Sequence, residues 1–133
     1  MTSPEEHKKN IRQFMEDIQE KIRSGLLADR QKIIGFATSE AATNLVEYFL
    51  HKKNLVSSGF HLNHNYFSSS QRAQRMLDME FMGKKGLIPL LVRQEELRTI
   101  LCYGREKEVE KAEEAIVTLQ KIKKFVELEL QEE

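Results

Sequence analysis

Apolar residues recur three and four positions apart along most of this 133-residue chain, and nowhere do they alternate at a spacing of two for long enough to make a convincing strand. That repeat paints one apolar stripe down an α-helix, and such a stripe has to be buried against another helix. Five segments carry it. The first runs from about Pro4 to Ser24, with Ser3 as N-cap, Pro4 at the first helical position and Glu5 and Glu6 at the positive end of the dipole. Its stripe is Ile11, Phe14, Met15, Ile18 and Ile22, and Gly25 closes it. The second spans about Asp29 to Lys53, with Ile34, Ala37, Ala41, Leu45, Tyr48 and Phe49 on one face. Gly35 and several alanines along it would let another helix approach closely.

Asn54 to Asn65 reads as a loop, rich in Ser, Gly and Asn. A short third segment, about Ser68 to Met82, offers Ala73, Met76 and Leu77 to a core and Arg72 and Arg75 to solvent, with Met76, Met79 and Met82 as core filling. Gly83 and Gly86 bracket Lys84-Lys85 as a turn. The fourth segment, about Leu87 to Tyr103, has Pro89 in its first turn and ends at Gly104. Its stripe is Leu87, Leu90, Leu91, Leu97, Ile100 and Leu101. The fifth, about Glu106 to Gln131, repeats Val109, Ala112, Ile116, Leu119, Val126 and Leu130, interrupted at Lys123. Five stripes joined by short links predict an all-α, up-and-down bundle forming a single domain over residues 1–133.

The expected bundle needs no covalent staple, because a chain of this size can bury a sufficient core. One cysteine, Cys102, precludes an internal disulfide and suits a reducing, cytoplasmic setting; with no partner base in sequence it reads as a small buried residue. The polar start at Ser3-Pro4-Glu5-Glu6 is not that of a signal peptide, and no apolar run approaches the roughly 20 residues that span a bilayer. The expectation is therefore no membrane partner. Formal net charge is zero, yet residues 51–105 hold nine Lys/Arg against four Asp/Glu, whereas residues 106–133 hold five against nine. An anionic ligand would meet the middle of the chain.

Within that middle region lies Arg93, then Arg98, Tyr103 and Arg105 at the end of the fourth helix. With an alanine-rich second helix (Ala37-Thr38-Ser39-Glu40-Ala41-Ala42), a loop, a shorter helix and then this stretch, the chain from about Arg30 onward resembles the HEPN (higher eukaryotes and prokaryotes nucleotide-binding) superfamily. The resemblance implies a HEPN-like, usually dimeric bundle of four or five helices. Active members carry an Arg and, after four to six intervening residues, a His, and cut RNA without metal at the dimer cleft. Arg98 matches that Arg, and Tyr103 stands where the His is expected. Histidine titrates near neutrality and can shuttle a proton, whereas a phenol is ordinarily protonated at pH 7 and is a poor base. A tyrosine can still donate to phosphate or stack on a base.

By the resemblance, then, the chain is a nucleic-acid- or nucleotide-associated module with little or no catalysis, a homodimer through its second and fourth helices, working with RNA or a nucleotide and with a nucleotidyltransferase-type partner. Binding candidates are Arg93, Arg98, Tyr103, Arg105 and Glu40; catalytic candidates are Arg98 and Tyr103 alone. Two other readings stay open: a metal-independent ribonuclease using Arg98, and a structural or adaptor dimer in which Arg98 pairs with Glu95. Glu40, Asn44 and Glu47 share a helix face that also reads as plain solvated surface. His61 and His64 could ligate a metal with Cys102, but no acid lies near them in sequence, so no metal and no cofactor is expected. His64-Asn65 reads better as a cap for the third helix, and Phe67 as the anchor of the loop.

Overall fold

The structure, a computed structural model, describes residues 3–131. It is an all-α bundle of five helices, α1 Pro4–Arg23, α2 Gln31–Lys52, α3 Ser70–Met76, α4 Lys84–Cys102 and α5 Val109–Leu130, with a single 3-10 turn at His64–Phe67 and no strand among the described residues. Helix α1 begins as its sequence dictates. The Ser3 hydroxyl accepts from the Glu6 amide at 3.2 Å, and Gly25 adopts the left-handed φ of +67° that releases the chain after the helix.

Helix α2 is the axis of the bundle, packing against α1, α4 and α5, while α4 and α5 also pack on each other. Directions follow from side-chain pairs. His7 meets Glu47 and Phe14 meets Phe36, so α1 runs antiparallel to α2. Arg93 meets Glu114 while Gly83 abuts Phe125, so α4 and α5 are antiparallel. Gly35 fulfils the close approach expected of it: a Cβ there would lie 2.8 Å from the Cβ of Leu101 and 3.2 Å from the Cys102 sulfur, so only glycine allows α2 and α4 to cross this tightly. At the base of α5, Gln31 clamps the incoming chain, donating to the Lys107 carbonyl and accepting from the Lys107 amide at 2.8 Å.

The predicted stripe of α2 is buried. In α1, Ile11 and Ile18 are buried and Phe14 and Met15 partly so, but Ile22, at the end of the stripe, is 39% exposed. Ile122, absent from the predicted stripe of α5, fills the gap at Lys123. The middle of the chain departs from expectation. Helix α3 stops at Met76 instead of Met82, because Leu77 takes a non-helical φ of −97° and ψ of 75° and drops fully into the core. The freed segment delivers Phe81 to an edge-to-face cluster with Phe49 and Phe125, ring centroids 5.3 to 6.5 Å apart. Met82 is correspondingly expelled and is 81% exposed, not core filling. Gly83, at φ +84°, turns the chain beneath Phe125, and α4 then begins at Lys84, three residues before the predicted start. Pro89 therefore lies inside α4, beyond its first turn.

Candidate functional site

The tight α2–α4 crossing holds polar side chains of both helices face to face, one or two turns along from Gly35. Ser39 and Glu40 come from α2, Glu95 and Arg98 from α4, and His64 enters from the 3-10 turn between them. His64 Nε2 donates to Glu40 Oε1 at 2.7 Å, and its Nδ1 to Glu95 Oε2 at 3.1 Å, with the Ser39 hydroxyl also 3.1 Å from Nδ1. With an acceptor at each nitrogen, only the imidazolium satisfies both contacts. Glu40 first, then Glu95, raise the His64 pKa to about 9 against the opposing effect of burial. On the far side of Glu95, Arg98 Nη1 donates to Oε1 at 3.4 Å, a long contact for a charge-assisted bond. Its Nε is buried and without a hydrogen-bond partner.

The result is a row of alternating charge, Glu40, His64, Glu95, Arg98, whose two cations are each only partly enclosed, with side chains about one-quarter exposed. Beside it, between the 3-10 turn and α4, opens a cleft of about 400 Å³ bordered by His64, Asn65, Glu95 and Arg93. That volume falls within the range of small-molecule sites.

Of the residues singled out in the sequence, the structure links Glu40 and Arg98 through His64 and Glu95. Arg93 does not join them. It turns to α5, where Nε and Nη2 grip both oxygens of Glu114 at 2.6 and 2.8 Å and Nη1 reaches Glu96 at 3.3 Å. Tyr103 sits past the last helical residue of α4 in extended conformation and is 62% exposed, and Arg105 is exposed in the link to α5. Cys102 is half-buried, its thiol 3.5 Å from the Lys32 carbonyl, and burial first of all pushes its pKa up, which suits a packed residue and not a nucleophile.

His64 is the residue that sequence reasoning undervalued. The cap of α3 is Ser69, whose hydroxyl accepts from the Arg72 amide at 3.1 Å, so His64 is free for another role. Nor do His61 and His64 act as a pair. His64 is held by Glu40 and Glu95, while His61 turns toward Glu47, its Nδ1 3.8 Å from Oε2. The signal was faint because the acids that engage His64 lie 24 and 31 residues away in sequence. The comparisons add no relative: no family model, no curated protein and no solved structure matches this chain.

Proposed function

We propose that this chain is a HEPN-like module that associates with nucleic acid or a nucleotide and binds its ligand without cutting it. The observation that carries the reading is the Glu40–His64–Glu95–Arg98 row at the α2–α4 face, in which the guanidinium at the end of the row, Arg98, is held only by a long contact to Glu95. A phosphate oxygen would compete with that long Glu95 contact for Nη1 of the guanidinium, while the buried Nε stays out of a ligand's reach. His64 keeps its proton at neutral pH, which suits anion binding and disqualifies it as a base. Tyr103, exposed at the end of α4, is available to stack on a base.

On α2, Ile33 and Phe36 are 41% and 47% exposed, with Phe36 also meeting Phe14 of α1 edge-on, and we assign these apolar side chains as the seam for a second copy. A homodimer built on them would bring two Arg98–Tyr103 ends toward each other, and a nucleotidyltransferase-type protein is the partner that the HEPN likeness suggests. The test is binding of single-stranded RNA and of nucleotides at low salt, with Arg98→Ala alongside. The reading requires measurable affinity that falls at least tenfold in the variant; no binding, or equal binding by Arg98→Ala, removes it. Light scattering of Ile33→Glu tests the seam, a monomer being expected.

A second reading has its own support. His64 shares Glu95 with Arg98, and on this reading its imidazolium stands in for the motif histidine, protonating a leaving oxygen while Arg98 steadies the phosphate. It demands metal-independent RNA cleavage that disappears in both His64→Ala and Arg98→Ala. Intact RNA after long incubation leaves binding as the sole activity.

A further inference from the structure

Toward the C-terminal end of α2, buried between α1 and the loop, lies a group of side chains that the binding face does not use. Glu47 and His51 stand one helical turn apart on α2, and His7 projects from the first turns of α1 to meet them. One ligand-capable atom from each of the three lies within 4.8 Å of the others. His7 and Glu47 are only 2% and 4% exposed. Deep burial of an imidazole and a carboxylate, with a second, half-buried imidazole beside them, is costly unless something compensates it.

The surrounding contacts orient each donor. Asn44 Nδ2 donates to the Glu40 carbonyl at 2.8 Å, which fixes the amide so that its Oδ1 faces His7 Nδ1, also at 2.8 Å. Nδ1 of His7 must therefore carry a proton, and Nε2 is the atom turned toward Glu47. Glu47 in turn has its Oε1 occupied by the Leu62 amide, leaving Oε2 to face His7. His7 Nε2 and Glu47 Oε2 approach to 2.9 Å without the alignment of a hydrogen bond. Burial opposes the His7 charge, but the Glu47 and Asn44 contacts outweigh it and raise its pKa, so a metal ion would bind here by displacing the Nε2 proton. The third member, His51, has a buried Nε2 with no hydrogen-bond partner, and its ring lies roughly parallel to that of His7 at 5.9 Å. Nδ1–H held by an amide oxygen and a carboxylate pinned through its second oxygen are the outer contacts that metal ligands ordinarily have.

We infer that His7, Glu47 and His51 form a binding site for a Zn²⁺-class dication, with His61 or a water molecule as the fourth ligand. Two imidazoles and one carboxylate suit zinc, and bonds near 2.0 Å require ligand atoms roughly 3.3 Å apart, between the 2.9 Å of His7 to Glu47 and the 4.8 Å limit of the group. His61, half-exposed with Nδ1 3.8 Å from Glu47 Oε2, sits on the solvent side, where it can complete a tetrahedron. The ion would tie α1 and the loop after α2 to the central helix.

The test starts from full-length protein stripped with chelator, titrated with Zn²⁺ by calorimetry and with Co²⁺ followed by visible absorption. One ion per chain and the intense d–d bands of four-coordinate Co²⁺ are expected. His51→Ala should weaken binding by about 100-fold or more, beyond the 10–100-fold expected for the outer-contact variant Asn44→Ala. Cys102→Ser should leave affinity unchanged, since that thiol bonds elsewhere. His51→Ala is the decisive variant because the Nε2 it removes has no hydrogen bond to lose, and a circular-dichroism melt of the metal-free variant checks that the fold is retained. Absence of stoichiometric binding, or equal affinity in His51→Ala, overturns the site.

Discussion

Helix α2 holds two histidine sites, one at Ser39 and Glu40 near its middle and one at Glu47 and His51 near its C-terminal end, and they differ in one partner. His64 has a carboxylate at each nitrogen, Glu40 and Glu95, so its proton is locked on both sides and neither nitrogen has a lone pair to offer. His7 has a carboxylate at one nitrogen and the neutral amide of Asn44 at the other. Both N–H groups of His64 are already taken by carboxylates, whereas at the inferred metal site Nε2 of His7 faces a single carboxylate and would give up its proton to the ion. Burial sharpens the contrast, since the His64 row opens on a cleft whereas His7 and Glu47 are enclosed.

The strongest way to break the comparison is to remove the acid at the enclosed site. Glu47→Ala leaves the Leu62 amide and the buried His7 without their acceptor, and loss of one member of a buried pair costs about 3–5 kcal/mol. Urea denaturation of the metal-free protein should show a loss of that size. Glu40→Ala, at the open site, should cost far less, because both it and His64 are partly solvated and His64 keeps Glu95. Equal losses would mean that the two sites are not different in kind.

Next in size is the pH dependence of the open site. In the folded protein His64 titrates at about 9, against 6.5 for a free imidazole. A raised folded pKa stabilises the protonated form, so its contribution is complete below about pH 6.5 and drains away as pH climbs through about 9. The upper bound on that contribution is about 3 kcal/mol at one pKa unit per 1.36 kcal/mol, and partial exposure reduces it. Stability measured between pH 6 and pH 10, about the window in which this imidazole titrates, should fall in wild type and run flat by comparison in His64→Gln. A wild-type curve as flat as the variant's would show that Glu40 and Glu95 do not hold the proton.

Gly35 sharpens the comparison from the packing side. Alanine there would set a methyl carbon 2.8 Å from Leu101 Cβ, and overpacking of this kind costs about 1–3 kcal/mol, offset by about 1 kcal/mol of helix propensity. A net loss near 1 kcal/mol is expected for Gly35→Ala, together with weakened ligand binding by the neighbouring Arg98. Zn²⁺ affinity at the enclosed site should not move.

The bundle was legible in the sequence because its evidence is periodic. The stripe of α2, that of α1 as far as Ile18, and the glycine at the α2–α4 crossing follow from spacing alone, and each is at least partly buried or close-packed where spacing puts it, whereas Ile22 at the end of α1 stays exposed. What escaped was the segment from Leu77 to Gly83, where a good helical pattern loses to the gain from docking Phe81 against Phe49 and Phe125. A local pattern carries no sign of partners 32 and 44 residues away. The polar sites escaped for the same reason. Arg98 and Glu40 could be picked as candidates one by one, but the histidine that joins them, and the pairing of His7 with Glu47 across 40 residues, exist only once the helices are antiparallel.

The smallest expected effect is the most discriminating, because it is a gain. If the cations of the open site bind phosphate, Glu95 is their internal competitor, holding Arg98 at 3.4 Å and His64 at 3.1 Å. Glu95→Gln removes that charge while keeping a side chain of the same shape. An exposed or partly exposed charge pair is worth up to about 1 kcal/mol, so the affinity for a nucleotide or short RNA should rise by about fivefold at low salt. The gain should shrink as salt is added, since the contacts responsible are electrostatic. Arg98→Ala in the Glu95→Gln background should abolish it, which separates release of that guanidinium from a general loss of negative charge. Unchanged or weaker binding in Glu95→Gln would mean that the carboxylate positions the two cations instead of competing for them, and the row would then be a structural tie between α2, the loop and α4.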